Sequence, residues 1–198
     1  MKLYNNPASP FGRKCRVIAH ELGIKLEEIN ISPFQDANMR KVNPLGKIPA
    51  LVLDDGSVLI DSPVICEYLN HLGGGKFFPG MNIWRQTSGR WKALGLQALG
   101  DGLADATVTW MLLGREEQVP QKARARQMET ILSTLAALEK VKFAKTPTIG
   151  EIAVACALGY MEFRLTDLDW RASHPNLTSW YAQFCEYPSM KDTAPRAL

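Results

Sequence analysis

Residues 43–63 read NPLGKIPALVLDDGSVLIDSP. Asn43-Pro44-Leu45-Gly46 forces a turn, because proline presets φ and glycine supplies the positive φ that other residues avoid. Ile48 to Leu53 and Val58 to Ile60 are apolar runs on either side of Asp54-Asp55-Gly56. Asp-Gly between two such runs is a strong hairpin signal, so the runs are expected as antiparallel neighbours. Ser62 can then cap a helix with Pro63 at its first position, and Val64, Ile65, Tyr68 and Leu69 supply that helix with an apolar side.

Toward the N-terminus the period keeps changing. Leu3 and Tyr4 suit a first strand. After the Pro7-to-Gly12 break, Val17, Ile18 and Leu22 recur at helical spacing up to a stop at Gly23. Leu26, Ile29 and Ile31 mark a second strand, and Phe34 to Val42 has room for a short irregular helix. The order is βαβ then ββα, a four-stranded mixed sheet with helices over residues 1–75. Gly73-Gly74-Gly75-Lys76 reads as a linker, since Phe77 stands where a phosphate loop needs Ser or Thr.

Beyond Pro79-Gly80 the strand signals stop, and residues 82–198 read as an all-helical domain. Trp84 to Leu113 carries a long helical pattern with an expected break near Gly100-Asp101-Gly102. Met128, Ile131, Leu132, Leu135 and Leu138 form an apolar stripe. Thr148-Ile149-Gly150-Glu151 is a capping box, and the run from Ile152 to Leu158 has no polar face, so that helix is expected at the centre of the domain.

Composition excludes several function classes. The 198 residues hold 23 Lys plus Arg against 20 Asp plus Glu, a net +3, and contain no basic run suited to nucleic acid or a membrane surface. MKLYNNPASP lacks a signal-peptide core and no stretch is apolar for bilayer length, so the cytoplasm is the expected compartment. Cys15, Cys66, Cys156 and Cys185 are scattered among apolar neighbours and His20, His71 and His174 are equally scattered, which fits reduced, mostly buried thiols and no metal site.

Three motifs carry chemistry. Ser9-Pro10-Phe11-Gly12 precedes the first helix, where thioredoxin-like disulfide enzymes place Cys-x-x-Cys because a helix N-terminus stabilises a thiolate. A serine there either donates a hydrogen bond to a borrowed thiolate or merely caps the helix. Gly46-Lys47-Ile48-Pro49 enters a strand, and proline confines it to an edge or a strand start, with a cis bond as one option. The Ile48 main chain is then open to an extended peptide, unless the segment is an ordinary turn. Asp61-Ser62-Pro63 at a helix start offers N–H groups and a hydroxyl to a carboxylate and a carboxylate to an ammonium, although capping alone explains Ser62.

Ser9-Pro-Phe, Asn43-Pro-Leu-Gly-Lys-Ile-Pro49, Asp61-Ser62, Glu21-Leu-Gly-Ile24 and the capping box at Thr148 together resemble the cytosolic glutathione transferases, over the whole chain. The Ala155-to-Tyr160 helix looks closest to bacterial members with a serine-type motif. The resemblance implies a thioredoxin-like N-terminal domain that binds glutathione as co-substrate, and an all-α C-terminal domain holding a small, apolar electrophile. It implies Ser9 as the catalytic residue that activates the thiol. Phe11, Lys47, Ile48, Pro49, Asp61 and Ser62 would bind glutathione, and Phe34, Trp110 and Met111 would form the electrophile pocket. It implies no prosthetic group and a homodimer as the assembly. Asp61 stands where the family commonly has Glu, one methylene longer. Tyr4, Asn5 and Asn6 are the other groups able to reach the thiol, while Cys15 is expected in the core. The rival readings are a glutathione-binding regulatory or scaffold protein without turnover and a glutathione-dependent thiol transferase or reductase, which normally has Cys at the Ser9 position.

Overall fold

Leu3 is fully buried in the strand at the heart of the sheet, where Lys2–Asn5 (β1) pairs in parallel with Glu27–Asn30 (β2) and antiparallel with Ala50–Val52 (β3). Val58–Leu59 (β4) completes a mixed sheet of order β2-β1-β3-β4. A parallel pair needs a crossover, and the helix Pro10–Glu21 (α1) supplies it between β1 and β2. Met39–Val42 (α2) and Ser62–Leu72 (α3) complete this thioredoxin-like domain. This computed structural model describes residues 1–32, 38–80 and 88–198. Of the expected irregular helix over Phe34 to Val42, residues 34–37 lie outside the described residues, and α2 is the part that is seen.

The second domain comprises Ser88–Leu113 (α4), Gln121–Leu138 (α5), Ile149–Arg164 (α6), Pro175–Phe184 (α7) and Pro188–Asp192 (α8). Every residue of α6 from Ile149 to Met161 is buried, as its lack of a polar face requires. Each large aliphatic side chain so enclosed contributes roughly 1.5–3 kcal/mol relative to exposure. The capping box is in place: the Glu151 carboxylate accepts from the Thr148 N–H at 2.8 Å, and Thr148 Oγ1 accepts from the Gly150 N–H at 3.2 Å. The two domains share one apolar core, and the Ile149 N–H donates to the Phe77 carbonyl at 3.0 Å.

Four local expectations change. α4 runs unbroken through Gly100-Asp101-Gly102. Gly100 is there for close approach, because a Cβ would lie 2.7 Å from the backbone of Ala153 and Val154 on α6. β3 starts at Ala50 rather than Ile48, since Pro49 has no N–H for the ladder. α3 starts at Ser62 with Asp61 as its N-cap, so Pro63 is the second helical residue. Leu132 is 45% exposed, because burial on α5 follows Ile131, Leu135 and Leu138 and leaves Leu132 about 100° off that line.

Candidate functional site

α1 begins where Ser9, with extended backbone, accepts a hydrogen bond from the Gly12 N–H on Oγ at 3.2 Å. Pro10 occupies the first helical position without wasting a donor. The Ser9 oxygen is thus the cap, and its own proton is left to donate elsewhere. Beneath this turn Asn5 is fully buried, with neither side-chain amide atom hydrogen-bonded. It packs so tightly against Gly12 that a Cβ there would lie 1.6 Å from Asn5 Oδ1. Asn6 shapes the loop before Ser9: its Nδ2 donates to the Ile31 carbonyl at 2.9 Å and its Oδ1 accepts from the Ala8 N–H at 3.0 Å.

The second wall element is the Asn43–Lys47 loop. Asn43 is buried and holds it from inside, with Nδ2 donating to the Lys47 carbonyl at 2.6 Å and Oδ1 accepting from the Leu45 N–H at 3.0 Å. Gly46 sits at φ 63°, which admits the turn. The chain then passes Ile48 and a cis Ile48–Pro49 peptide before pairing starts at Ala50, so the Ile48 main chain lies beyond the ladder.

Between these loops and the helical domain runs a cleft of about 370 Å³. Asn6, Ser9, Phe11, Lys47 and Ile48 line one side, and Asp105, Val108, Thr109, Met111, Leu112, Arg115, Tyr160 and Arg164 the other. Among the sequence-predicted residues, Ser9, Phe11, Lys47, Ile48 and Met111 are therefore brought together. Asp61 and the buried Ser62 stand at the start of α3, outside that lining but electrostatically close to it: the Asp61 charge acts on both Asp101 and Asp105. Burial, then Asp101, raises the Asp105 carboxyl above its ordinary range, while Lys47 opposes the shift. Phe34 lies outside the described residues. Trp110 is turned away from the cleft into the core, with the Arg124 guanidinium 3.6 Å over its ring.

Sequence reasoning missed Tyr160, Arg164, Arg115 and Val108. Asp105, Val108, Thr109 and Leu112 follow helical spacing, so the stripe was there to be found once the rotation of α4 was known. Cys15 is fully buried, and burial pushes its thiol well above the usual range; burial likewise takes the Cys156 thiol up to about 12. Neither supplies a thiolate near neutral pH. Among the described residues no cluster of His, Cys, Asp and Glu is able to hold a metal ion, and no helix is long and apolar enough to cross a membrane.

Residues 3–77 match the family model of the glutathione S-transferase N-terminal domain, and residues 121–183 match that of its C-terminal domain. The chain belongs to the glutathione transferase family. A family member from Pseudomonas fluorescens Pf-5, solved with bound glutathione, is 41% identical, with 99% of each chain covered and a TM-score of 0.89. A Pseudomonas fluorescens Pf-5 structure with bound S-(propanoic acid)-glutathione is 40% identical over 100% of both chains, with a TM-score of 0.85. The GST-like protein YibF of Escherichia coli (strain K12) is 33% identical over 98% of each chain. The cleft described above is lined from both the sheet domain and the helical domain, with Ser9 among the lining residues.

Proposed function

We propose that this chain is a transferase that binds glutathione along the sheet domain, holds its sulfur as thiolate at Ser9, and directs it at a small electrophile in the helical half of the cleft. The observation that carries the reading is the Ser9 hydroxyl, whose oxygen is occupied by the Gly12 N–H while its proton remains available at the positive end of α1. A free thiol of pKa ~8.5 is only roughly 3% thiolate at pH 7, so each unit of lowering raises the nucleophile severalfold. In this reading the Ile48 main chain pairs with the cysteinyl backbone beside cis Pro49. Asp61 and Ser62 take the γ-glutamyl end, with Asp105 adding negative charge near the ammonium, and Lys47 faces the glycyl carboxylate. The relatives solved with glutathione or its S-conjugate support glutathione as the bound co-substrate. Val108, Met111, Leu112 and Phe11 offer the electrophile an apolar seat, and the rate gain comes from proximity and thiolate fraction.

A two-fold homodimer is part of the same reading. It is supported by Val64 and Trp91, 47% and 63% exposed, which flank the Arg90–Glu67 ion pair linking α4 to α3.

The deciding experiment is a calorimetric titration of glutathione with the ultraviolet absorbance of bound thiolate followed against pH. Micromolar to low-millimolar binding with thiolate near pH 7 is expected. A protein that binds no glutathione ends the reading.

A further inference from the structure

The helical end of the cleft carries two arginines that balance no carboxylate among the described residues. Arg115, just past the end of α4, and Arg164, the last residue of α6, both line it. Among the described residues neither guanidinium forms an ion pair, although Arg16, Arg90 and Arg171 all do. The Nε of Arg164 is buried without a hydrogen-bond partner. Its plane is braced on aromatic faces, with the guanidinium carbon 4.6 Å from the Phe163 ring centre and 5.6 Å from that of Tyr160. A stacked arginine is held in one orientation, so its fork meets a ligand already ordered.

Tyr160 joins the two. The residue is 3% exposed, and burial raises its pKa while the charge and hydrogen bond of Arg164, and then the Arg115 charge, pull the other way. Both cations therefore act on one hydroxyl at the cleft wall. The cleft's own carboxylate does not neutralise them: Asp105 lies ten residues before Arg115, about 15 Å along a helix, and is coupled to Lys47 and Lys14 instead. Met111 and Leu112 lie on the α4 face between Asp105 and Arg115.

We infer that the second substrate is an electrophile bearing a carboxylate, which the Arg115 and Arg164 guanidinium groups and the Tyr160 hydroxyl hold while its apolar body rests on Met111 and Leu112. The inference rests on the reading that glutathione sulfur is presented at Ser9. The pairing orients the reacting carbon, since planar forks bind carboxylates bidentately. With 4-chloro-3-nitrobenzoate as probe, the thiolate sulfur bonds to the chlorine-bearing carbon. The carbon–chlorine bond then breaks with its electron pair leaving on chloride, and the thiol proton has gone to solvent.

The test needs no turnover. The S-conjugate of glutathione with that acid, and its carbamoyl counterpart, which is neutral and of similar shape, are titrated calorimetrically beside free glutathione. The acid conjugate is expected to bind about tenfold more tightly than the amide, the scale of one charge-assisted pair open to some solvent. Arg115→Gln, at an exposed position, and Arg164→Lys, which keeps the charge but loses the fork, should each remove most of that preference. Equal affinity for the two conjugates overturns the inference while tight glutathione binding leaves the transferase reading standing. If both conjugates and free glutathione weaken together in the variants, the arginines hold glutathione's own glycyl carboxylate and the inference is likewise overturned. Absence of binding by all three ligands removes both.

Discussion

The Nζ of Lys14 lies 2.6 and 2.7 Å from the two carboxylate oxygens of Asp101, joining α1 of the sheet domain to α4 of the helical domain. Lys14 is 1% exposed and Asp101 22% exposed, so the lysine is the member that water cannot reach. Burial raises the Asp101 carboxyl and the Lys14 charge opposes that rise, so each partner makes the other's ionised form tolerable. Asp101→Asn, which strands a buried ammonium, is expected to cost about 3–5 kcal/mol. Lys14→Met should cost less, because Asp101 keeps some solvent, and the double change Lys14→Met with Asp101→Leu should recover most of the loss. Urea midpoints of the four proteins check this ordering.

The helix cap that Ser9 forms and the thiolate-donor role proposed for it separate by substitution. Ser9→Ala removes both the Gly12 hydrogen bond and the proposed thiolate donor, so it should lower stability by about 1 kcal/mol and move the bound thiol back toward ~8.5. Ser9→Asp keeps a good cap but sets a negative charge beside the sulfur, so stability should hold while the thiol pKa rises further. Melting curves and thiolate absorbance with pH read the two effects. An unchanged thiol pKa in both variants would remove Ser9 from catalysis.

Two glycines on α4 should respond with opposite signs. A Cβ at Gly95 meets nothing within 4 Å, so Gly95→Ala should stabilise by up to about 1 kcal/mol through helix propensity. A Cβ at Gly100 meets the α6 backbone at 2.7 Å, and Gly100→Ala should destabilise by roughly 1–3 kcal/mol as the helices are forced apart. Thermal unfolding of both variants is a direct measurement.

Asp105 has a pKa raised from its ordinary 3.8, chiefly by burial and next by Asp101. The folded chain therefore keeps a proton there that the unfolded chain releases. That contribution to stability is complete below 3.8 and is lost as pH rises through the raised value. Asp105→Asn does not titrate, so its melting temperature should match the native protein's at the acid end and exceed it at pH 7. A constant offset across that range would show that the carboxyl does not titrate in an altered environment.

The element order was legible because its signals are local. The hairpin at Asp54-Asp55-Gly56, the capping box at Thr148 and the apolar run of α6 each depend on residues within a few positions of one another, and each is present in the folded chain. The same locality explains why Ser9, Lys47 and Ile48 could be picked out: they sit in turns whose shape Pro10, Gly46 and Pro49 impose on their own neighbours. The family resemblance carried the remaining assignments on the sheet side.

Local signals say nothing of how a helix is rotated about its axis. One residue is about 100° on an α-helix, so Met111 enters the cleft while Trp110 beside it turns to Arg124. The break expected at Gly100 failed for a related reason: a glycine read alone weakens a helix, but packed against Ala153 and Val154 it lets α4 and α6 touch. The sequence by itself determined the two-layered plan of a sheet domain followed by a helical domain, most of their elements, and the helix start capped by Ser9. Only the tertiary structure decided that Lys14 meets Asp101, and that Tyr160, Arg164 and Arg115 face Ser9 across one cleft. Those pairs lie tens to more than a hundred residues apart, and only the packing of α4 and α6 against the sheet domain brings them together.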